Sequence, residues 1–354
     1  MIKPKAIDLF CGAGGLTEGL RRAGFSVVGA VEIEPLAVKT YRANHRRVHV
    51  WEKDIANVNP EHVLQTLNLE RGQLDLLAGC PPCQGFSAMR TLNGGRRVRD
   101  PKTKDLVLAF LEFVRVMFPK VVMLENVPRL KKDRRFKELA KTLRKWGYKF
   151  TRAEVRDAQH YAVPQRRRRL IFLASRIGAI SDPKIVKNGP KVADAVQGLL
   201  KAGASGDPVH DVPERRQPKI LQRIRKIPKD GGSRTDLPEA DQLACHKRCN
   251  GFKDVYGRMA WKDVAPTITG GCFNPSKGRF LHPVEDRCIT LREAALLQSF
   301  PSDYKFPDVT KKQAVALMIG NALPPEFIRR HAREIRRSLE TSQPSAQNSQ
   351  SSRG

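Results

Sequence analysis

Ala6-Ile7-Asp8-Leu9-Phe10-Cys11-Gly12-Ala13-Gly14-Gly15 decides the fold of this chain. Its first five residues form an apolar run of strand length. The glycines make a tight turn ahead of Leu16 to Ala23, where apolar residues recur at helical spacing. Such a turn lets a ligand approach the backbone at the helix N-terminus. A second strand, Ser26 to Val31, runs into Glu32, twenty residues after Gly12. An acid at that distance accepts hydrogen bonds from ribose hydroxyls. A Gly-rich turn followed by an ordinary exposed acid has the same spelling, and a dinucleotide and an adenosyl compound fit it equally. Strand, turn, helix and acid in this order predict an α/β, Rossmann-like domain.

The same pattern continues outward. A short segment, Val48 to Trp51, precedes Asp54-Ile55, a pair placed to meet an adenine edge or to be plain loop residues. Leu74 to Ala78 reads as a buried parallel strand and is followed by Gly79-Cys80-Pro81-Pro82-Cys83-Gln84-Gly85-Phe86-Ser87. Two prolines stiffen the backbone ahead of Cys83, and Gly85, Gly94 and Gly95 loosen the segment after it. That arrangement suits a nucleophile beneath a lid. The bare Cys80-x-x-Cys83 spacing equally suits half a zinc site, a redox pair or two buried thiols. A helix from about Asp105 to Met117 leads to the apolar strand Lys120 to Leu124, which ends in Glu125-Asn126-Val127-Pro128. A carboxyl at the end of a buried strand is a candidate for pKa tuning by desolvation. Gln165-Arg166-Arg167-Arg168-Arg169 opens a further strand, Leu170 to Ala174. Alternate side chains of a strand point to opposite sides, so Arg167 and Arg169 form one pair directed at the site.

The chain has 65 Lys and Arg against 36 Asp and Glu, a net charge of +29 over 354 residues. That surplus points to a polyanion, nucleic acid before membrane. Seven scattered cysteines fit a reducing cytosol, and no apolar run is long enough to cross a membrane. Met1-Ile2-Lys3-Pro4-Lys5 leads straight into the first strand without a signal peptide, which predicts a cytoplasmic, nucleoid-associated protein. From about Arg176 to Arg287 the strand–helix alternation is lost, which predicts a small irregular second domain. That block carries 21 basic and 13 acidic residues, much the same charge density as the rest, so both domains are expected to face the polyanion. Cys245-His246-x-x-Cys249 lacks a matching second pair, and no metal is expected. Helical spacing returns at Leu291 to Gln298. The turn Gly320-Asn321-Ala322-Leu323-Pro324-Pro325 then leads to a last Arg-rich helix, and Thr341 to Gly354 is expected to be disordered.

Taken together, these segments resemble the DNA (cytosine-5)-methyltransferase family. The resemblance covers about residues 6 to 178 and 288 to 335. Asp8-Leu9-Phe10-Cys11-Gly12-Ala13-Gly14-Gly15 is similar to the family's first S-adenosylmethionine motif. Pro81-Pro82-Cys83-Gln84-x-Phe86-Ser87 resembles its nucleophile loop, Glu125-Asn126-Val127 its catalytic acid motif, and Gln165-x-Arg167-x-Arg169 the motif that holds the target base. Arg292-Glu293-Ala294-Ala295-Leu296-Leu297-Gln298-x-Phe300-Pro301 and Gly320-Asn321-Ala322-Leu323-Pro324 match the last two motifs.

The resemblance implies a catalytic domain over 1–178 that closes over 288–340, a target-recognition domain over 179–287, and a tail over 341–354. It implies that Phe10, Gly12, Gly14, Gly15, Glu32, Ile33, Asp54, Ile55, Pro81 and Asn321 hold S-adenosylmethionine. Cys83 is then the nucleophile for cytosine C6 and Glu125 the proton-bearing partner of the ring. Arg169 faces the ring O2, and Arg167 orients the loop or a phosphate. A flipped-out base needs a closing loop, so Gln84, Ser87, Arg90, Arg96, Arg97 and Arg99 are expected on DNA. The implied partner is duplex DNA, met by a monomer, with a cognate restriction endonuclease acting on the same site without a stable complex. A tRNA cytosine-5 methyltransferase and an inactive DNA-binding relative are the rival readings.

Overall fold

The computed structural model describes residues 2–82, 106–243 and 254–342. The first strand, β1 (Lys5–Leu9), enters a helix, α1 (Gly15–Arg22), through the glycine turn. There follow β2 (Ser26–Glu32), α2 (Pro35–Asn44), β3 (His49–Glu52), α3 (Pro60–Thr66), β4 (Leu76–Gly79), α4 (Leu106–Met117) and β5 (Val121–Asn126). A 3-10 turn, Pro128–Lys132, then leads to α5 (Arg134–Lys145), β6 (Phe150–Asp157) and β7 (Arg168–Ser175). These strands form one sheet in the order β3-β2-β1-β4-β5-β7-β6. The first five strands run parallel, while β7 lies antiparallel between β5 and β6. This is the expected α/β, Rossmann-like sheet with one reversed strand. Sequence reading misses β6, whose Thr151-Arg152-Ala153-Glu154-Val155-Arg156 spelling is that of a half-buried edge strand.

Alternation along the strands builds the two covering layers. Val122 and Leu124 of β5 face the core under α3, α4 and α5, with Phe110, Phe113, Phe136 and Leu139. Val121 and Met123 face the opposite core, shared by α1 and a last helix, α10 (Pro325–Thr341). The chain's closing part thus returns to its beginning. A Cβ on Gly19 of α1 would stand 2.5 Å from Ile328 Cβ of α10, so only glycine allows that approach.

The described residues of 176–287 hold two short helices, α6 (Val192–Val196) and α7 (Pro218–Lys226), among isolated bridges and 3-10 turns. Their own apolar cluster is small: Ile224, Ile227, Leu237, Tyr256, Leu281 and Cys288. Arg258 is fully buried beside it. It donates to the carbonyls of Ile224, Ile227, His282 and Glu285 and pairs with Asp286 at 2.6 Å. Where regular backbone pairing is scarce, one guanidinium supplies the donors that buried carbonyls need. The same block also packs Val192, Val209, Met259 and Ile268 into a core with α8 (Leu291–Leu297) and α9 (Lys312–Asn321).

The sequence predicts a turn at Gly320 and Asn321; they are instead the final residues of α9, and the turn starts at Ala322. Thr341, expected in the tail, is the last residue of α10, and 343–354 lie outside the described residues.

Candidate active site

Two clusters meet at the carboxyl edge of the sheet. The first is the turn after β1. Gly12 has φ +52° and donates its N–H to Glu32 Oε2 at 2.8 Å. Glu32 Oε1 accepts from the N–H groups of Ile33 (2.9 Å) and Glu34 (3.0 Å). Three backbone donors fix the carboxylate in one orientation and leave acceptor capacity for a hydroxyl. A Cβ at Gly12 would meet nothing within 4 Å, whereas one at Gly14 or Gly15 would meet His45, Tyr304 or the Leu323 carbonyl. The turn is therefore open on its Gly12 side and closed behind. Phe10 holds φ +65°, a strained conformation for a residue with a Cβ. Ile33 exposes an apolar side chain, 61% of it free. Asp54 caps the next turn by accepting from Ala56 N–H and, with Ile55, lines a cavity of about 710 Å³ that runs on to Leu106 and Phe113. Gly12 and Glu32 do not line that cavity, so it adjoins the glycine turn's site rather than coinciding with it. An open backbone cradle, an oriented acid and an exposed apolar side chain fit an adenosyl cofactor. Asn321 is exposed at the end of α9, next to Ala322, which lies against Gly15.

The second cluster surrounds Glu125. Its strand β5 pairs with β4 in the register Gly79↔Leu124, which puts Cys80 beside it. Burial pushes the Glu125 carboxyl up; Arg169, Arg167 and a hydrogen bond from Cys80 pull the other way, and burial prevails. Arg169 Nε lies 2.9 Å from Glu125 Oε1, yet its N–H is not aimed at that oxygen. Oε1 is thus a buried acceptor without a hydrogen-bond donor among the described residues. Asn126, to which the sequence assigns no role of its own, donates to the Pro81 carbonyl at 3.0 Å and ties the segment leading to Cys83 to the strand that carries Glu125. Cys83, Gln84, Ser87, Arg90, Arg96, Arg97 and Arg99 lie outside the described residues, as do Cys245, His246 and Cys249.

The alternation expected of the arginine run is present: Arg166 and Arg168 are exposed, and Arg167 and Arg169 point inward. The two inward arginines differ in use. Arg167 is 2% exposed and donates to the carbonyls of Ile268 (3.0 Å), Gly320 (2.8 Å) and Ala322 (3.0 Å). The expected phosphate contact is corrected here, because a guanidinium sealed against three carbonyls has no face for a phosphate. Arg167 instead joins the sheet to the 268 segment and to the end of α9. Gln165 reinforces the junction, donating to Gln298 Oε1 (2.9 Å) and accepting from Ile268 N–H (2.9 Å).

Below the glycine turn lies a buried network that no sequence motif marks. Thr17 Oγ1 donates to Asp8 Oδ2 (2.7 Å) and meets Tyr41 Oη (2.8 Å), while Tyr304 Oη donates to the Ala13 carbonyl and meets His45 Nε2 (3.0 Å). These partners are 9 to 291 residues apart in the chain, so no local spacing reveals them.

Residues 4–337 match the model of the C-5 cytosine-specific DNA methylase family. The chain is 36% identical over 349 residues to the Type II methylase M.HgiDII of Herpetosiphon aurantiacus, covering 94% of this chain and 95% of that protein. It is 32% identical to the Type II methyltransferase M1.HphI of Haemophilus parahaemolyticus, covering 90% and 83%. Its fold is shared by an Escherichia coli prophage protein described as a DNA modification methyltransferase. That likeness has a TM-score of 0.73 and 24% identity, and covers 96% of this chain and 100% of that one. No helix among the described residues is long and apolar enough to cross a membrane.

Proposed function

We propose, for a chain that belongs to the C-5 cytosine-specific DNA methylase family and so is a DNA cytosine-5 methyltransferase, that it methylates a flipped-out cytosine through a covalent Cys83–C6 adduct. The observation that carries the reading is Glu125: a buried carboxyl of raised pKa, one oxygen lacking a donor among the described residues, beside the strand that leads to Cys83.

Cytosine C5 is a poor nucleophile until a thiolate adds to C6. Glu125, its carboxyl pushed up by burial, donates to N3 in its protonated form and accepts from the exocyclic amine through Oε1, drawing electrons from C6 as the thiolate adds. Arg169 stands where negative charge on the ring O2 would be stabilised. S-adenosylmethionine supplies the methyl group as a sulfonium. The chain's share is to hold the cofactor with Phe10, Gly12, Gly14, Gly15, Glu32, Ile33, Asp54, Ile55, Pro81 and Asn321. Water then takes the C5 proton, and the C–H electron pair restores the 5,6 double bond as the C6–S bond breaks and Cys83 leaves as its thiolate. Flipping the base costs a few kcal/mol, which the loop arginines Arg90, Arg96, Arg97 and Arg99 are expected to offset on phosphates. The protein relatives named Type II methyltransferases support a role in guarding DNA against a restriction endonuclease. The domain division at 178 and 287, a monomeric state, a cytoplasmic location and independence of metal belong to the same proposal.

The test is transfer of labelled methyl to plasmid DNA and, separately, to tRNA, with bisulfite sequencing of the DNA. Label on DNA at one recurring sequence is expected. Cys83→Ala should abolish transfer and leave duplex binding within a few-fold. Label on tRNA alone, or turnover by Cys83→Ala, would overturn the reading.

A further inference from the structure

We propose that the outer face of α5 is a second DNA-contact surface, gripping duplex that flanks the methylated site. This deepens the DNA-methyltransferase reading and rests on it. The 22 residues from Pro128 to Lys149 hold ten Lys or Arg against two acids, a net of +8. The 112-residue middle block carries no more than that in total. All ten cations are exposed. Arg134, Lys137, Lys141 and Lys145 recur at i, i+3, i+7 and i+11, which lines them along one face of the helix. The line is about 16 Å long at 1.5 Å per residue, facing a polymer that carries one charge per about 1.7 Å.

Basic helices are commonly neutralised within themselves, and α10 is. Arg329 and Arg330 pair with Glu326, Arg337 with Glu334, and Arg336 with Glu340. On α5, Arg134, Lys137, Lys141 and Lys145 make no ion pair among the described residues. Four like charges on a face that holds a single acid, Glu138, repel one another, a cost that an anionic partner removes. The helix's apolar stripe, Phe136, Leu139, Ala140 and Leu143, is already buried in the core. It has no face left to insert into a membrane, which disfavours a lipid surface.

The topology brings this row to the DNA. Strand β5 ends at Glu125-Asn126, and α5 is the crossover from β5 to its parallel neighbour beyond β7, so it starts at the catalytic edge and runs back along the sheet. Arg129, Lys131 and Lys132 in the preceding 3-10 turn bridge the distance. Duplex held with its target base at Glu125 and continuing past that edge meets the row.

The experiment maps the methylated site by bisulfite sequencing. It then compares duplexes of about one and a half and about three helical turns centred on it. The protein is intact, wild type or carrying Arg134→Gln, Lys137→Gln, Lys141→Gln and Lys145→Gln together; glutamine keeps the helix, and thermal melting checks the fold. On the short duplex the variant should bind within about twofold of wild type. On the long one it should bind about tenfold or more weakly at low salt, with the slope of log K against log salt reduced by about 2 to 4. Equal binding of the long duplex by both proteins overturns the proposal, and so does an equal loss on both duplexes. Failure of the wild type to methylate DNA sinks the parent reading instead; the long-duplex comparison, run then on mixed-sequence DNA, still tests the row.

Discussion

Asp8→Asn should flatten the pH dependence of stability. Asp8 has no exposed surface, and burial chiefly raises its pKa from 3.8 to about 7; Thr17's hydrogen bond opposes this and the Glu32 charge adds to it. An acid whose folded pKa lies above its unfolded one binds its proton more tightly when folded. Its contribution is therefore complete below about pH 3.8, declines as pH rises, and is gone above about 7. A shift of about three units is worth at most about 4 kcal/mol, of which about 2 falls between pH 5 and 7. For a chain of this size that is about 3 °C of melting temperature. His45 and His331, each lowered to about 4 by burial, act in the opposite sense, since they bind protons more weakly when folded and favour the native state as pH rises through 4 to 6.5. The wild-type curve alone is thus a mixture. The difference between variant and wild type isolates Asp8, because asparagine still accepts from Thr17 and cannot ionise. Calorimetric melts at half-unit steps from pH 5 to 8 should show the variant gaining about 3 °C relative to wild type across that range. Parallel curves would refute the claim that Asp8 holds a proton near neutrality.

Glu125→Gln should lower methyl transfer about 10²-fold with little effect on DNA affinity. It should also remove whatever fall in rate accompanies loss of the acid's proton as pH rises through its raised pKa; an unchanged pH profile in the variant would assign that fall to another group. Gly12→Ala meets open space, so melting should fall by only the 1–2 kcal/mol of a left-handed alanine while S-adenosylmethionine affinity drops about tenfold. Unchanged affinity by calorimetric titration would remove Gly12 from the cofactor cradle. Gly19→Ala should do the reverse: the clash with Ile328 and the Pro325 carbonyl costs about 1–3 kcal/mol, partly offset by better helix propensity, and cofactor affinity stays. Arg167→Met takes a donor from three buried carbonyls, of which Ala322 keeps only a long bond from Gln298, and should cost about 3–5 kcal/mol, with Arg167→Lys no rescue; a melt unchanged for either would deny the junction.

Arg167 shows where sequence legibility stops. The alternation of a strand puts it on the inward side with Arg169, and that much is local geometry with a period of two. What each arginine then meets depends on distant segments: Ile268 and Gly320, about 100 and 150 residues away, for Arg167, and the neighbouring strand's Glu125 for Arg169. A parallel sheet built from apolar runs and a glycine turn is legible because strand burial and turn geometry are written within ten residues. The half-buried β6 is illegible because an edge strand with charges on one face has no distinctive spelling. The Asp8–Thr17–Tyr41 network is hidden for another reason: Thr17 and Tyr41 look like ordinary helix residues until the fold stacks α1 and α2 against one strand. The row on α5 lies between these cases. Its spacing is in the sequence, but its meaning requires knowing that the helix begins at Glu125's edge and that its four cations, unlike most of those of α10, make no ion pair among the described residues. Charge density averaged over whole domains erases it. A polyanion reads charge over one or two helical turns, and it is at that length scale that basic composition becomes an interface.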